Sequence, residues 1–148
     1  MKNNNIAVVD DDKSIRLVLT TALIRGGFNV TSSGTAAGLW RLIENEKINV
    51  LITDVGLPDG DALDILPKLH KSYPDLKIIV ISARSTLITA VRAQKKGAYY
   101  YLPKPFDLDE IINLVTKIVN SKENTEDNIN TNLSNDNSRN IYESGPIV

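Results

Sequence analysis

Four places in the chain carry side chains suited to phosphoryl chemistry. They are the acidic run Asp10-Asp11-Asp12, Asp54, Ser82 in Ser82-Ala83, and Lys104 in Pro103-Lys104-Pro105. Crowded carboxylates repel one another unless a cation holds them together. The chain has no Cys and a single His, His70, so thiol nucleophiles, disulfides, Cys-based zinc sites and His-rich metal centres are excluded. An all-oxygen donor set points to a hard cation, Mg²⁺ or Ca²⁺. The spacing of an EF-hand calcium loop is absent, which favours Mg²⁺. A carboxylate beside such an ion and an ammonium can attack a phosphoryl group. The two positive charges would neutralise what develops on the transferring oxygens.

Taken singly, each residue has a plainer reading. Asp12, followed by Lys13-Ser14, reads chiefly as the N-cap of a helix. A lone Asp54 after a strand reads as a turn residue, and a lone Lys104 between prolines as a solvated cation. His70 reads as an exposed helix residue, and Tyr99 to Tyr101 as alternating strand residues of which one packs inward. The plain readings fail jointly, because the reactive residues all fall at the ends of separate apolar runs.

Those runs define the elements. Ile6–Val9 ends at Asp10, Val50–Thr53 ends at Asp54, Ile78–Ile81 precedes Ser82, and Tyr100–Leu102 is halted by Pro103. Asn29–Ser32 is a weaker strand. Between them, apolar residues recur at helical spacing over Lys13–Arg25, from Ala36 to Ile43, over Ala62–Ser72, over Thr86–Lys96 and from Leu108 to Val119. Gly26-Gly27 and Gly97 close two of these helices, and Pro67 inside a third removes a backbone donor. Continuous apolar strands, each followed by a helix, predict an α/β fold with a doubly wound five-stranded parallel sheet. Ligands of such sheets bind beyond the carboxyl ends of the strands, where the reactive residues fall.

The chain has 148 residues, 42% hydrophobic and 24% charged, with a formal net charge of -1. This suits one domain with a real core and offers no global field for DNA or an anionic membrane. No apolar run approaches a membrane span and the amino terminus does not read as a signal peptide, so a cytoplasmic location is expected. Residues 1–120 carry a net +2, whereas 121–148 carry a net -3 with seven Asn and few large apolar side chains. The domain is therefore placed at 1–120 and the remainder read as a flexible polar linker.

Taken together, Val8-Val9-Asp10-Asp11, Thr53-Asp54-Val55, Leu57-Pro58-Asp59-Gly60, Ser82-Ala83 and Gly97-Ala98 running into Tyr101-Leu102-Pro103-Lys104-Pro105-Phe106 resemble the receiver domains of bacterial two-component response regulators. The resemblance implies a flavodoxin-like sheet of strand order 2-1-3-4-5 and a phosphorylation-dependent signalling switch. It implies that Asp54 accepts a phosphoryl group from the phosphohistidine of a sensor histidine kinase. Asp10, Asp11, Asp54 and the backbone carbonyl of Gly56 would hold Mg²⁺, with Asp12 brought in if the register shifted by one. Lys104 would pair with the phosphoryl oxygens, Ser82 would be the switch hydroxyl, and Tyr101 the aromatic that reorients with it. The helix Thr86–Lys96 and the strand Tyr100–Leu102 would form a homodimer or partner surface.

A narrower resemblance, carried by Leu63-Asp64-Ile65-Leu66-Pro67-Lys68-Leu69 and Tyr101 to Leu108, is to the NtrC-type nitrogen-regulation regulators of alphaproteobacteria. Ser144-Gly145-Pro146-Ile147-Val148 looks like the lead-in to the ATPase module of those regulators, which implies that this chain stops short of it. No phosphate-binding loop or helix-turn-helix is present, so neither ATP hydrolysis nor DNA binding by the chain is expected. Ala62 departs from the glycine common in receivers, and Ser82 from threonine. A phosphate-releasing enzyme is the competing reading, but Asp54-Val55-Gly56 lacks a second acid two positions on and no insertion could form a cap. A receiver that is never phosphorylated is the third. The expectation is a phosphoacceptor that catalyses only its own phosphotransfer and dephosphorylation.

Overall fold

The computed structural model describes residues 4–84 and 87–123. Side-chain alternation along three strands decides its layers. In β1 (Asn5–Val9), Ile6 and Val8 face one side and Ala7 and Val9 the other. In β3 (Val50–Asp54), Val50 and Ile52 join the first face and Leu51 the second. In β6 (Lys77–Ser82), Ile79 and Ile81 join the first, and Ile78 and Val80 the second. None of these side chains is more than 1% exposed, so all three strands lie inside a sheet covered on both faces.

The first face takes α1 (Lys13–Arg25) and α5 (Leu108–Glu123) through Leu19, Leu23, Ile111 and Val115. The second takes α2 (Ala36–Asn45), α3 (Ala62–Ser72) and α4 (Leu87–Lys95) through Leu39, Leu63, Leu66, Leu69 and Ala93. With β2 (Asn29–Ser33) and β7 (Tyr100–Pro103), the sheet runs β2-β1-β3-β6-β7, all parallel. This is the expected order 2-1-3-4-5. The labels differ because a short antiparallel hairpin, β4 (Gly56–Leu57) with β5 (Gly60–Asp61), intervenes unannounced by any apolar pattern.

The differences from the expected boundaries have local causes. β2 is an edge strand paired only with β1 and partly exposed, which accounts for its weak pattern. Gly97 adopts φ +111, a left-handed conformation that ends the α4 segment. Thr86, the expected start of that helix, lies outside the described residues. Pro67 is exposed on α3 and the helix runs on through it. Ala62 opens α3 and donates its N–H to the Val55 carbonyl at 2.8 Å; no non-glycine residue described has a positive φ, so this position needs no glycine. α5 runs to Glu123, three residues beyond position 120. The rest of the expected linker, 124–148, lies outside the described residues. Among the described residues no helix is long and apolar enough to cross a membrane.

Candidate functional site

Parallel strands bring their carboxyl ends to one rim, and strand register sets what meets there. Asp54 is level with Ile81 of β6, and Ser82 with Pro103 of β7. The Lys104 N–H then donates to the Ser82 carbonyl at 2.8 Å, extending the ladder one step and fixing where the lysine leaves the sheet.

Its ammonium enters the acidic cluster. Lys104 Nζ stands 2.8 Å from Asp10 Oδ2 and 3.3 Å from Asp54 Oδ1. Asp10 is fully buried, and its other oxygen accepts the Asp12 N–H at 2.9 Å. Asp54 is buried, and its Oδ1 also accepts the Val55 N–H at 3.0 Å. Asp11 is exposed beside them. One carboxylate oxygen each of Asp10, Asp11 and Asp54 can be chosen so that all lie within 4.8 Å of one another. Asp12 turns away to cap α1, accepting from Ser14 N at 2.8 Å and Ile15 N at 3.2 Å.

Ser82 is buried, and its Oγ accepts the Arg84 N–H at 2.9 Å. Tyr101 is half-buried against the second-face core and donates its hydroxyl to the Arg84 carbonyl. The two expected switch residues are thus joined through the two backbone groups of one residue. Gly56 lies exposed on β4, opposite Asp61.

The electrostatics follow from this crowding. Burial, then the charge of Asp10, raises the Asp54 carboxyl above its usual range, against the lowering effect of Lys104 and the Val55 N–H. Burial alone would lower the Lys104 ammonium. The Asp10 and Asp54 carboxylates outweigh it and hold the group above its usual value. An acidic cluster strained by its own charge, with only oxygen donors, fits a hard divalent cation. Oxygens on one Mg²⁺ stand at most about 4.2 Å apart, so small side-chain rotations would close this cluster on an ion.

Three further residues, not singled out as site residues from the sequence, bond to or lie over the loops around these groups. Arg16 of α1 donates to the Asp10 carbonyl at 2.7 Å. Its only local signal is a basic residue one turn into a helix that starts at an acidic loop. Arg84 extends its guanidinium over Gly56, 3.9 Å from where a Cβ there would sit. Asp59 lies in the quoted Leu57-Pro58-Asp59-Gly60 stretch, but its partners, Ala36 and Ala37, are 23 and 22 residues away and beyond any spacing rule.

Comparison with known proteins decides the family. A family model of the response regulator receiver domain matches residues 6–116. The chain belongs to that family. The receiver is 50% identical over 121 residues to the DNA-binding transcriptional regulator NtrC of Azospirillum brasilense, covering 82% of this chain and 25% of that one. It is 48% identical over 115 residues to NtrC of Rhizobium meliloti, covering 78% and 24%. The chain thus spans about a quarter of the length of these relatives. Among solved structures, a CheY-like receiver domain protein from Methanospirillum hungatei superposes with TM-score 0.78 at 29% identity, covering 82% of this chain and 98% of that one. The beryllofluoride-activated NtrC4 receiver domain dimer gives TM-score 0.75 at 30% identity, with 80% and 98% covered. As a response regulator receiver, the domain serves phosphorylation-dependent two-component signalling.

Proposed function

We propose that Asp54 is the phosphoacceptor of this receiver and that a sensor histidine kinase supplies the phosphoryl group. The observation that carries the reading is the Lys104 ammonium held within 3.3 Å of Asp54 by a second carboxylate, Asp10, at the rim where Ser82 also ends. An oxygen of Asp54 forms the new O–P bond, the P–N bond of the phosphohistidine breaks, and the imidazole leaves with the electron pair. Lys104 pairs with a phosphoryl oxygen as charge shifts onto it. Mg²⁺, held by Asp10, Asp11, Asp54 and the Gly56 carbonyl, would supply the remaining positive charge on the transferring oxygens. The same groups later serve hydrolysis of the acyl phosphate.

A kinase must bring its histidine to this rim, and the apolar part of the rim is the shelf of Ile15, Val18, Pro105, Phe106 and Leu108 beside Lys104. After transfer, the Ser82 hydroxyl turns from the Arg84 N–H to a phosphoryl oxygen, and Tyr101 follows because it is tied to the same residue. That movement reshapes the face of α4 and β7, where Leu87, Ile88, Val91 and Tyr100 are exposed. Such a patch suits a second receiver. In a longer protein built like the NtrC relatives, the receiver would control transcription in response to nitrogen status, in the cytoplasm and without touching DNA itself. Incubation with a purified, ³²P-autophosphorylated NtrC-type sensor kinase and Mg²⁺ tests the reading. The label should move to this chain and be released by base, and should stay on the kinase when the chain carries Asp54→Asn.

A further inference from the structure

We propose that Asp59 is a positioning residue for the divalent-cation site: by bonding the amino end of α2 it holds the β4–β5 hairpin, and with it the Gly56 carbonyl, in place relative to Asp10 and Asp11. The inference rests on the cation site proposed above.

The hairpin cannot hold itself. It has two ladder pairs, Gly56 with Asp61 and Leu57 with Gly60, and ribbons this short are marginal unless packed on something. Its base is anchored, since Val55 N–H reaches the Ile81 carbonyl at 3.1 Å and Leu57 is buried. Its tip is Pro58-Asp59, and both are exposed. Asp59 spends both carboxylate oxygens there, accepting from Ala36 N at 2.6 Å and from Ala37 N at 3.0 Å. A Cβ at Gly60 would lie 3.6 Å from the Ala36 Cβ, so the hairpin also packs against this helix end.

α2 does not need Asp59 to have a local cap. Thr35 caps it, its Oγ1 accepting the Gly38 N–H at 2.9 Å. What Asp59 adds is a link between loops. The residues just before α2 are tied to the acidic run: Asp10 N–H donates to the Ser33 carbonyl at 3.1 Å, and Thr35 N–H to Ser33 Oγ at 3.3 Å. Arg16, which holds the Asp10 carbonyl, fills the space over Gly34, 2.7 Å from where a Cβ would sit. The amino end of α2 is therefore bonded to the Asp10 loop on one side and to the Gly56 hairpin on the other. Asp59 is the hydrogen-bonding side chain of the second link.

Cation binding by the whole chain tests this, with Mn²⁺ as probe, free Mn²⁺ read by electron paramagnetic resonance, and Mg²⁺ as competitor. Asp59→Ala should weaken Mn²⁺ binding about tenfold, the size usual for outer-shell groups of metal sites. Asp59→Asn, which keeps one acceptor and the fold, should weaken it less but in the same direction. Thr35→Ala removes the local cap without touching the hairpin, so it should lower thermal stability and leave the Mn²⁺ Kd within about twofold of the wild type. Both Asp59 variants at the wild-type Kd, or Thr35→Ala weakening binding as much as Asp59→Ala, would overturn the proposal. Saturable wild-type binding that is abolished by Asp11→Asn would leave the cation site standing after such a failure. Absence of saturable binding by the wild type would overturn the site and the proposal together.

Discussion

Lys104 is paired more closely with Asp10, at 2.8 Å, than with the phosphoacceptor candidate Asp54, at 3.3 Å. The ammonium already offsets part of the negative charge that a divalent ion would use. A metal entering the cluster therefore meets a positive charge, and in the proposed transfer Lys104 would swing from Asp10 toward the incoming phosphoryl oxygens. Lys104→Met should accordingly tighten Mg²⁺ binding, by about thirtyfold for the repulsion of about 2 kcal/mol between a divalent and a unit charge at about 4 Å in a water-like medium. The same change should slow phosphoryl transfer from a small donor by about a hundredfold, since a group acting on developing charge is gone. A metal titration together with single-turnover phosphorylation reads both effects. Weaker metal binding in Lys104→Met would contradict the competition.

The raised carboxyl of Asp54 makes a prediction about stability. Burial, then Asp10, lifts it above its ordinary 3.8, so the folded chain keeps this proton to a higher pH than the unfolded chain does. The destabilisation is absent below about 3.8 and develops as pH rises through the raised value. Asp54→Asn removes the charge and retains an acceptor for the Val55 N–H. It should raise the melting temperature at neutral pH without Mg²⁺. The advantage should shrink as pH falls toward 3.8 and when Mg²⁺ saturates the wild type. Calorimetry across this pH range reads it, and a lower melting temperature for Asp54→Asn at neutral pH would contradict the account.

Asp59 carries the opposite sign. The Ala36 N–H, then that of Ala37, holds its carboxyl below 3.8. Its contribution to stability is fully present above 3.8 and is lost as pH falls through the depressed value. The wild type should therefore exceed Asp59→Asn in urea midpoint at neutral pH, and the two should converge in acid.

Ser82 and Tyr101 meet at Arg84, one on its N–H and the other on its carbonyl. Tyr101→Phe loses a hydrogen bond and should cost about 1 kcal/mol of stability while leaving the rate of phosphorylation unchanged. Ser82→Ala should still accept a phosphoryl group, but the NMR signals of the Tyr101 ring should no longer shift on phosphorylation. A full shift in Ser82→Ala would separate the two residues.

Much of this architecture was legible in the residues because inner parallel strands, buried on both faces, are written as unbroken apolar runs. Ile6–Val9, Val50–Thr53 and Ile78–Ile81 end at Asp10, Asp54 and Ser82, so each strand and its rim residue stand side by side in the sequence. The edge strand β2 was faint because its side chains are partly exposed. The β4–β5 hairpin was invisible, since two-residue strands carry no period. The contacts of Arg16 with the Asp10 carbonyl, of the Arg84 carbonyl with the Tyr101 hydroxyl and of Asp59 with the Ala36 and Ala37 N–H groups follow no spacing rule. The division of labour in the acidic run is open in the sequence; in the structure Asp12 caps the start of α1 and Asp10 pairs with Lys104.

If one carboxylate of this cluster becomes an acyl phosphate as proposed, intact-mass spectrometry reads it directly. The chain is incubated with Mg²⁺ and a small acyl phosphate donor and measured under conditions that preserve the acyl phosphate. The wild type should gain the mass of one phosphoryl group, none of it should appear on Asp54→Asn, and chelation of Mg²⁺ should abolish the gain. Equal modification of the wild type and Asp54→Asn would contradict the account.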